Sequence, residues 1–171
     1  MSDATPSPPS PPSGSPPLIL VAEDDHHHRF VLRRVFAAVG MEAELRFVSN
    51  GRELLGTLER CRSEPSDANP WPHLVLLDLH MPGMGGIETL EAMRADRTLR
   101  VLPVIVFSSS DHPHHIDQAY ASGANAYLVK VGDFRELVRH LRGLSAFWLH
   151  AARLPRVPGG AHPRAPDNAS P

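Results

Sequence analysis

The stretch His73-Leu74-Val75-Leu76-Leu77-Asp78-Leu79-His80-Met81-Pro82-Gly83 constrains this chain more than any other. Four apolar residues run into one carboxylate, and a turn comes next. An apolar run this short, closed by Pro and Gly, reads as a strand buried on both faces, the kind found in parallel sheets. In such sheets ligands bind outside the carboxyl ends of the strands. Asp78 stands at that end. Burying a lone carboxylate is costly, so Asp78 there is paired, metal-bound or chemically used. The competing reading is a helix N-cap in a strand-to-helix loop. This stretch alone does not choose between them.

Leu18-Ile19-Leu20-Val21-Ala22 is a second run of the same kind, and it ends in Glu23, Asp24 and Asp25. A helical pattern comes after it, with Val31, Val35 and Ala38 on one face, Leu32, Phe36 and Val39 beside it, and Gly40 as a stop. Ala43 to Ser49 alternates loosely, which predicts a strand with Leu45 and Phe47 inward and Ala43 as a third candidate. Asn50-Gly51-Arg52-Glu53 reads as a capping box for a helix ending near Arg62. A polar loop, Ser63 to Pro72, leads into the Asp78 strand. Gly86 to Arg94 forms the next helix. Pro103 to Phe107 is a fourth strand, running into Ser108-Ser109-Ser110. Ile116, Ala119, Tyr120 and Gly123 mark one face of a further helix. Ala126 to Val129 is the fifth strand and ends in Lys130. Asp133 with Glu136 caps a last helix whose stripe is Phe134, Leu137, Val138, Leu141, Leu144 and Trp148. Strand and helix alternate five times. The expected class is α/β: a doubly wound, five-stranded parallel sheet with right-handed crossovers.

The chain has 171 residues, enough for one domain with a full core, placed at residues 18–150. Residues 1–17 are nearly all Pro, Ser and small side chains, and residues 151–171 are rich in Pro, Gly and Ala. Both segments have too little apolar surface to fold and read as disordered tails. The net charge is -2, which gives no reason to expect nucleic acid or an anionic membrane surface. No apolar run approaches the roughly 20 residues that span a bilayer. Cys61 is the one cysteine, so no intrachain disulfide can form. The N-terminus lacks the basic and apolar regions of a signal peptide. Together these favour the cytoplasm.

The chemical content of the sequence stands at the strand ends. The first strand leads into Glu23, Asp24 and Asp25, the third into Asp78, the fourth into Ser108 and the fifth into Lys130. All these ends lie on one side of a parallel sheet, so the residues can converge. Three carboxylates in a cleft repel one another and call for a cation. Hard oxygen ligands with open positions suit Mg²⁺, which uses few carboxylates and keeps several waters. Such a metal would screen an incoming phosphoryl group from Asp78 and leave Asp78 free to act as a nucleophile. A hydroxyl at Ser108 and an ammonium at Lys130 would hold the remaining phosphoryl oxygens.

At these residues the chain resembles the receiver domain of two-component response regulators, the flavodoxin-like (βα)5 fold of CheY-like proteins. The resemblance rests on Ala22-Glu23-Asp24-Asp25, on Leu76-Leu77-Asp78-Leu79-His80-Met81-Pro82-Gly83, on Phe107-Ser108-Ser109, and on Gly123-Ala124-Asn125-Ala126-Tyr127-Leu128-Val129-Lys130. It covers Leu18 to Leu149. Within the family, the chain most resembles stand-alone receivers partnered with phytochrome-type histidine kinases. Leu99-Arg100-Val101-Leu102-Pro103-Val104, Ser108-Ser109-Ser110 and Phe147-Trp148-Leu149 carry that narrower likeness.

The resemblance implies a role for each matching residue. Asp78 is the phosphorylated aspartate. Asp24 binds Mg²⁺ directly, Glu23 binds it through water, Asp78 shares it, and His80 gives its backbone carbonyl. Ser108 is the switch hydroxyl, Tyr127 the aromatic that changes rotamer with it, and Lys130 the phosphate-binding lysine. The position of Asp25 is variable in the family. Two departures stand out. Val131 comes after Lys130 where the family usually has proline, so a trans bond and a shifted loop are expected, because cis before a non-proline residue costs about 2.5–4 kcal/mol. Gly85 replaces an aspartate that often precedes the third helix, which removes a cap.

The implied function is a single-domain response regulator that accepts a phosphoryl group from a histidine kinase and is not itself an enzyme. The twenty or so residues after Leu149 are too few for a DNA-binding unit, so output is expected through protein contact. Phe147 and Trp148 suggest a homodimer through the fourth and fifth helices and the fifth strand. Two alternatives remain open. A degenerate receiver would bind partners without phosphorylation, although Asp24, Asp78, Ser108 and Lys130 are all present. A phosphatase of the haloacid dehalogenase type would want a second acid two residues after Asp78, where His80 stands. Adjacent histidines His26, His27 and His28 point in different directions on a helix and cannot all bind one metal. His112, His114 and His115 are expected near the mouth of the site, at a solvated helix start.

Overall fold

Successive residues of the first strand face opposite helices, and this alternation builds two cores. The computed structural model describes residues 16–66 and 68–155. The expected tails, 1–17 and 151–171, lie outside the described residues except for 16–17 and 151–155. The strands are β1 (Leu18–Ala22), β2 (Glu44–Val48), β3 (Leu74–Leu77), β4 (Val104–Ser108) and β5 (Ala126–Val129). The helices between and after them are α1 (His26–Val39), α2 (Gly51–Ser63), α3 (Gly86–Ala95), α4 (Pro113–Ala121) and α5 (Phe134–Ser145). All strand pairs are parallel, in the order β2-β1-β3-β4-β5. The doubly wound parallel sheet expected from the sequence is therefore present.

On one face, Leu20 and Ala22 of β1 join Val75 and Leu77 of β3, with Leu54 and Leu58 of α2 and Leu90 and Met93 of α3. On the other, Ile19 and Val21 join Leu74 and Leu76, with Leu32, Val35 and Phe36 of α1 and Leu137 and Leu141 of α5. A third and smaller cluster, Leu79, Val106 and Ala119, lies under α4. Period-two burial on both sides of a strand is what a continuous apolar run requires. Arg94 of α3 ties the far end together: its guanidinium donates to the carbonyls of Gly123 (2.9 Å) and Leu102 (3.1 Å) and to Asn125 Oδ1 (3.0 Å).

The local signals mostly act as read, with instructive exceptions. Gly40 ends α1 at φ 70°, a left-handed position that suits glycine. Asn50 caps α2 by accepting Glu53 N–H at 2.9 Å, but the Glu53 carboxylate returns to Ser49 N–H (2.7 Å), one residue before the cap. Asp133 caps α5 through Glu136 N–H (2.8 Å), while the Glu136 side chain turns to Arg139 (3.2 Å). Ala38 is exposed, so the buried face of α1 is Leu32, Val35 and Phe36. Tyr120 (49% exposed) and Phe134 (42%) also leave their expected stripes. Each has a polar reason: the Tyr120 hydroxyl accepts Tyr127 N–H (3.2 Å), and the Arg34 guanidinium stands 5.7 Å over the Phe134 ring. After α5 the chain makes a π-helical turn, Ala146–Ala151, closed by Ala152 N–H to the Phe147 carbonyl at 2.7 Å. This wider turn points Trp148 onto the α1–α5 core and leaves Phe147 55% exposed. No helix among the described residues is long and apolar enough to cross a membrane.

Candidate functional site

The chain leaves β1 for β2 on one side and returns to β3 on the other, so the strand order reverses between β1 and β3. Such a reversal opens a crevice at the carboxyl ends of the strands. The register delivers the acids to it. Ala22 pairs with Leu77, and Asp78 N–H donates to the Ala22 carbonyl at 3.0 Å. Glu23 N–H donates to the Val48 carbonyl at 3.0 Å. One oxygen from each of Glu23, Asp24 and Asp78 then lies within 4.8 Å of the others.

Lys130 reaches back from the end of β5 and closes the group. Its Nζ donates to Asp78 Oδ2 and to Glu23 Oε2, both at 2.6 Å. Glu23 and Asp78 are buried, with Glu23 only 1% exposed. Removing one partner of such a buried ion pair is costly, because it leaves an uncompensated charge inside the protein. Three carboxylates against one ammonium still leave two negative charges uncompensated in the crevice. That charge, and oxygen donors at this spacing, fit a divalent cation of the hard type. Glu23, Asp24 and Asp78 would hold it.

Ser108 ends β4, fully buried, and its carbonyl accepts Lys130 N–H at 2.7 Å. Its hydroxyl accepts Ser110 N–H at 3.4 Å and makes no hydrogen bond to Asp78 among the described residues. Ser110 is the junction of this half of the site. Its carbonyl accepts the Tyr127 hydroxyl at 2.8 Å, and its own hydroxyl bonds His115 Nδ1 at 2.7 Å. The structure thus joins Ser108, Tyr127 and α4 through Ser110. His80 N–H donates to Asp78 Oδ1 at 3.3 Å, and its exposed ring lies 5.5 Å from that of His115. His112, His114 and His115 sit at the start of α4 as expected, where the His112 imidazole accepts His114 N–H at 3.2 Å. Asp25 stays outside the acidic group. It caps α1 by accepting His28 N–H at 2.9 Å, which holds its carboxyl below the usual carboxylate range.

Sequence reasoning missed four residues. Arg29 Nε donates to the Glu23 carbonyl at 2.6 Å and its guanidinium also donates to Ser49 Oγ at 2.9 Å. His28 Nδ1 lies 3.0 Å from Glu23 Oε1. Ser110 joins Ser108 to Tyr127. Gly86 starts α3 so close to the site that a Cβ there would stand 2.3 Å from the Asp78 carbonyl oxygen. The paired Gly85-Gly86 was the one signal for the last. As expected, Gly85 gives α3 no side-chain cap.

Residues 19–142 match the response regulator receiver domain family. The chain belongs to that family. Response regulator RPA3017 in red light signalling of R. palustris has 40% identity to it and a TM-score of 0.76, over 82% of this chain and 99% of that one. The phosphorylated cyanobacterial phytochrome response regulator RcpA has 30% identity and a TM-score of 0.73, over 82% and 99%. Response regulator Rcp1 of Synechocystis, in its Mn²⁺-bound form, has 27% identity and a TM-score of 0.71, over 82% and 100%. In this receiver the family's usual proline after the lysine is Val131, which is partly buried against the α1–α5 core.

Proposed function

We propose that this chain is a stand-alone response regulator that accepts a phosphoryl group from a histidine kinase onto Asp78, with Mg²⁺ as the cation. The observation that carries this reading is the Lys130 ammonium shared by buried Asp78 and Glu23 beside Asp24. An Asp78 oxygen attacks phosphorus, the P–N bond to the donor imidazole breaks, and its electron pair returns to the imidazole. Asp78 then carries an acyl phosphate. Bound by Glu23, Asp24, Asp78 and the His80 carbonyl, Mg²⁺ would neutralise phosphoryl oxygens during transfer. Lys130 follows the new charge from Glu23 to the phosphoryl group, and Ser108 donates its hydroxyl to another oxygen. Ser108 carries Ser110 with it, and Ser110 carries Tyr127 and α4. The protein assists its own phosphorylation and dephosphorylation without turning over a separate substrate.

Two relatives matched over nearly their whole length are a phytochrome response regulator and a red-light response regulator, which supports a phytochrome-type kinase as the partner. Output passes to another protein by contact, and the working compartment is the cytoplasm, with residues 18–150 as the folded unit. Exposed Tyr120 and Phe147 support a homodimer through α4, β5 and α5. Light scattering at micromolar concentration, with and without a phosphoryl mimic, tests the dimer, and a monomer in both states removes it. The complete set of Asp24, Asp78, Ser108 and Lys130 weighs against a receiver that works without phosphorylation.

The primary test is acetyl-phosphate labelling with Mg²⁺, resolved by phosphate-affinity electrophoresis. A base-labile band is expected in wild type and absent in Asp78→Asn. No band in wild type, with Mg²⁺ binding also absent, would overturn the reading.

A further inference from the structure

Three consecutive histidines open α1, and they do not share a fate. His26 and His27 are exposed, while His28, with its side chain 43% exposed, sets its Nδ1 edge against the acidic crevice. Its Nδ1 lies 3.0 Å from Glu23 Oε1, and Lys130 Nζ stands 3.5 Å from the same nitrogen. We propose that His28 is a positioning residue for Glu23: its imidazole holds one carboxylate oxygen, turns the other into the metal site, and so sets the affinity for the divalent cation. The proposal rests on reading Glu23, Asp24 and Asp78 as the cation site.

The two oxygens of Glu23 have different work. Oε2 accepts from Lys130 at 2.6 Å and faces Asp78 through it. Oε1 has its own donors, His28 Nδ1 at 3.0 Å and Asp25 N–H at 3.4 Å. The second of these is at the limit of a hydrogen bond. A carboxylate acceptor selects the imidazole tautomer with the proton on Nδ1, so His28 donates. Lys130 at 3.5 Å is then a neighbour of that ring and not its donor.

The backbone on both sides of this contact is fixed. Glu23 N–H is taken by the Val48 carbonyl at 3.0 Å, and the Glu23 carbonyl by Arg29 at 2.6 Å. His28 N–H is taken by the Asp25 cap at 2.9 Å. What stays free at Glu23 is side-chain rotation, and the imidazole removes it. Lys130 has to leave Glu23 to serve a phosphoryl group on Asp78, and His28 is then the donor that remains. Without it, Oε1 would be a nearly bare acceptor inside the protein, and the carboxylate would turn both oxygens to Lys130. That rotation strengthens the ion pair with which a cation competes. By that rotation cation affinity falls. Groups that orient a metal ligand through one hydrogen bond change affinity by about 10–100-fold.

The experiment is calorimetric titration of the full chain with Mg²⁺, comparing wild type, His28→Ala, His28→Asn and His27→Ala. Asparagine puts an amide N–H where Nδ1 stands. His28→Ala is expected to weaken Mg²⁺ binding about tenfold, His28→Asn to regain most of it, and His27→Ala to leave it unchanged. At saturating Mg²⁺, acetyl-phosphate labelling of His28→Ala should return to the wild-type rate, because orientation of the ligand and not the transfer step was lost. Wild-type affinity in His28→Ala overturns the proposal. So does a folded His28→Asn variant as weak as His28→Ala, or labelling that stays slow at saturating Mg²⁺. A wild type that binds no Mg²⁺ overturns instead the reading of the acidic cluster itself.

Discussion

Every side chain of β1 and β3 is buried, whereas every side chain of β5 is only partly buried and α4 buries Ala119 alone. The acids of the site hang from the first pair of strands, at Glu23, Asp24 and Asp78. Ser110 and Tyr127, joined by one hydrogen bond, contact α4 and β5. Lys130 is the side chain that crosses from one half to the other, since it leaves β5 and is held by both Glu23 and Asp78. Placement of reacting groups needs a rigid support, and a switch needs an element whose alternative positions are close in energy. The third cluster, with Leu79, Val106 and Ala119, is the smallest of the three among the described residues, which fits an element with close-lying alternatives.

Packing offers the largest way to break this comparison. Leu76 of β3 is fully buried in the α1–α5 core, and Leu76→Ala should cost about 2–5 kcal/mol through the cavity it leaves. Ile116 of α4 is only partly buried, and Ile116→Ala should cost no more than about 1 kcal/mol. Urea unfolding of the two variants measures both. Equal losses would mean that α4 is as firmly built in as β3 and that the contrast in burial has no energetic meaning.

A smaller effect sharpens the comparison within the less buried half. The Tyr127 hydroxyl donates to the Ser110 carbonyl at 2.8 Å. Tyr127→Phe removes that bond at a cost of about 1 kcal/mol. Amide hydrogen exchange should quicken in α4 and in the loop through Ser110, with β1 and β3 unchanged. Exchange that quickens across the whole sheet would place Tyr127 in the rigid half.

The rigid half was also the legible half. Leu18 to Ala22 and Leu74 to Leu77 are continuous apolar runs, and a continuous run announces a strand covered on both sides. The acids at their ends needed only the common direction of parallel strands to be brought together, and Glu23, Asp24, Asp78 and Lys130 do meet. Tyr120 and Phe134 misled because helical spacing reports which residues share a face, not whether a polar partner draws that face outward. The bond between the Tyr120 hydroxyl and Tyr127 N–H, and the Arg34 guanidinium over Phe134, are tertiary facts with no local pattern. His28 was hidden for a related reason. Its spacing from Glu23 is visible, but which of three adjacent imidazoles faces the crevice depends on the angle at which Asp25 starts α1. The π-helical turn after Ser145 has no sequence marker that separates it from a continuing α-helix.

Acid gives the finest comparison, because the cap of α1 is a carboxylate and α1 packs on the rigid half. Asp25 accepts His28 N–H, and that bond holds its folded value below the ordinary carboxylate range. A group with a depressed folded value contributes its stability fully above the unfolded value of about 3.9, and loses it as pH falls through the lower folded value. The melting temperature of wild type should therefore exceed that of Asp25→Ala at pH 6, and the gap should close as pH drops below about 4. Asp25→Asn keeps a side-chain oxygen for His28 N–H but cannot titrate in that window, so its difference from Asp25→Ala should stay constant across the same pH range. Should the wild-type gap persist unchanged to the lowest pH, the cap would act through its shape alone. The start of α1, and with it His28, would then be anchored independently of the charge on Asp25.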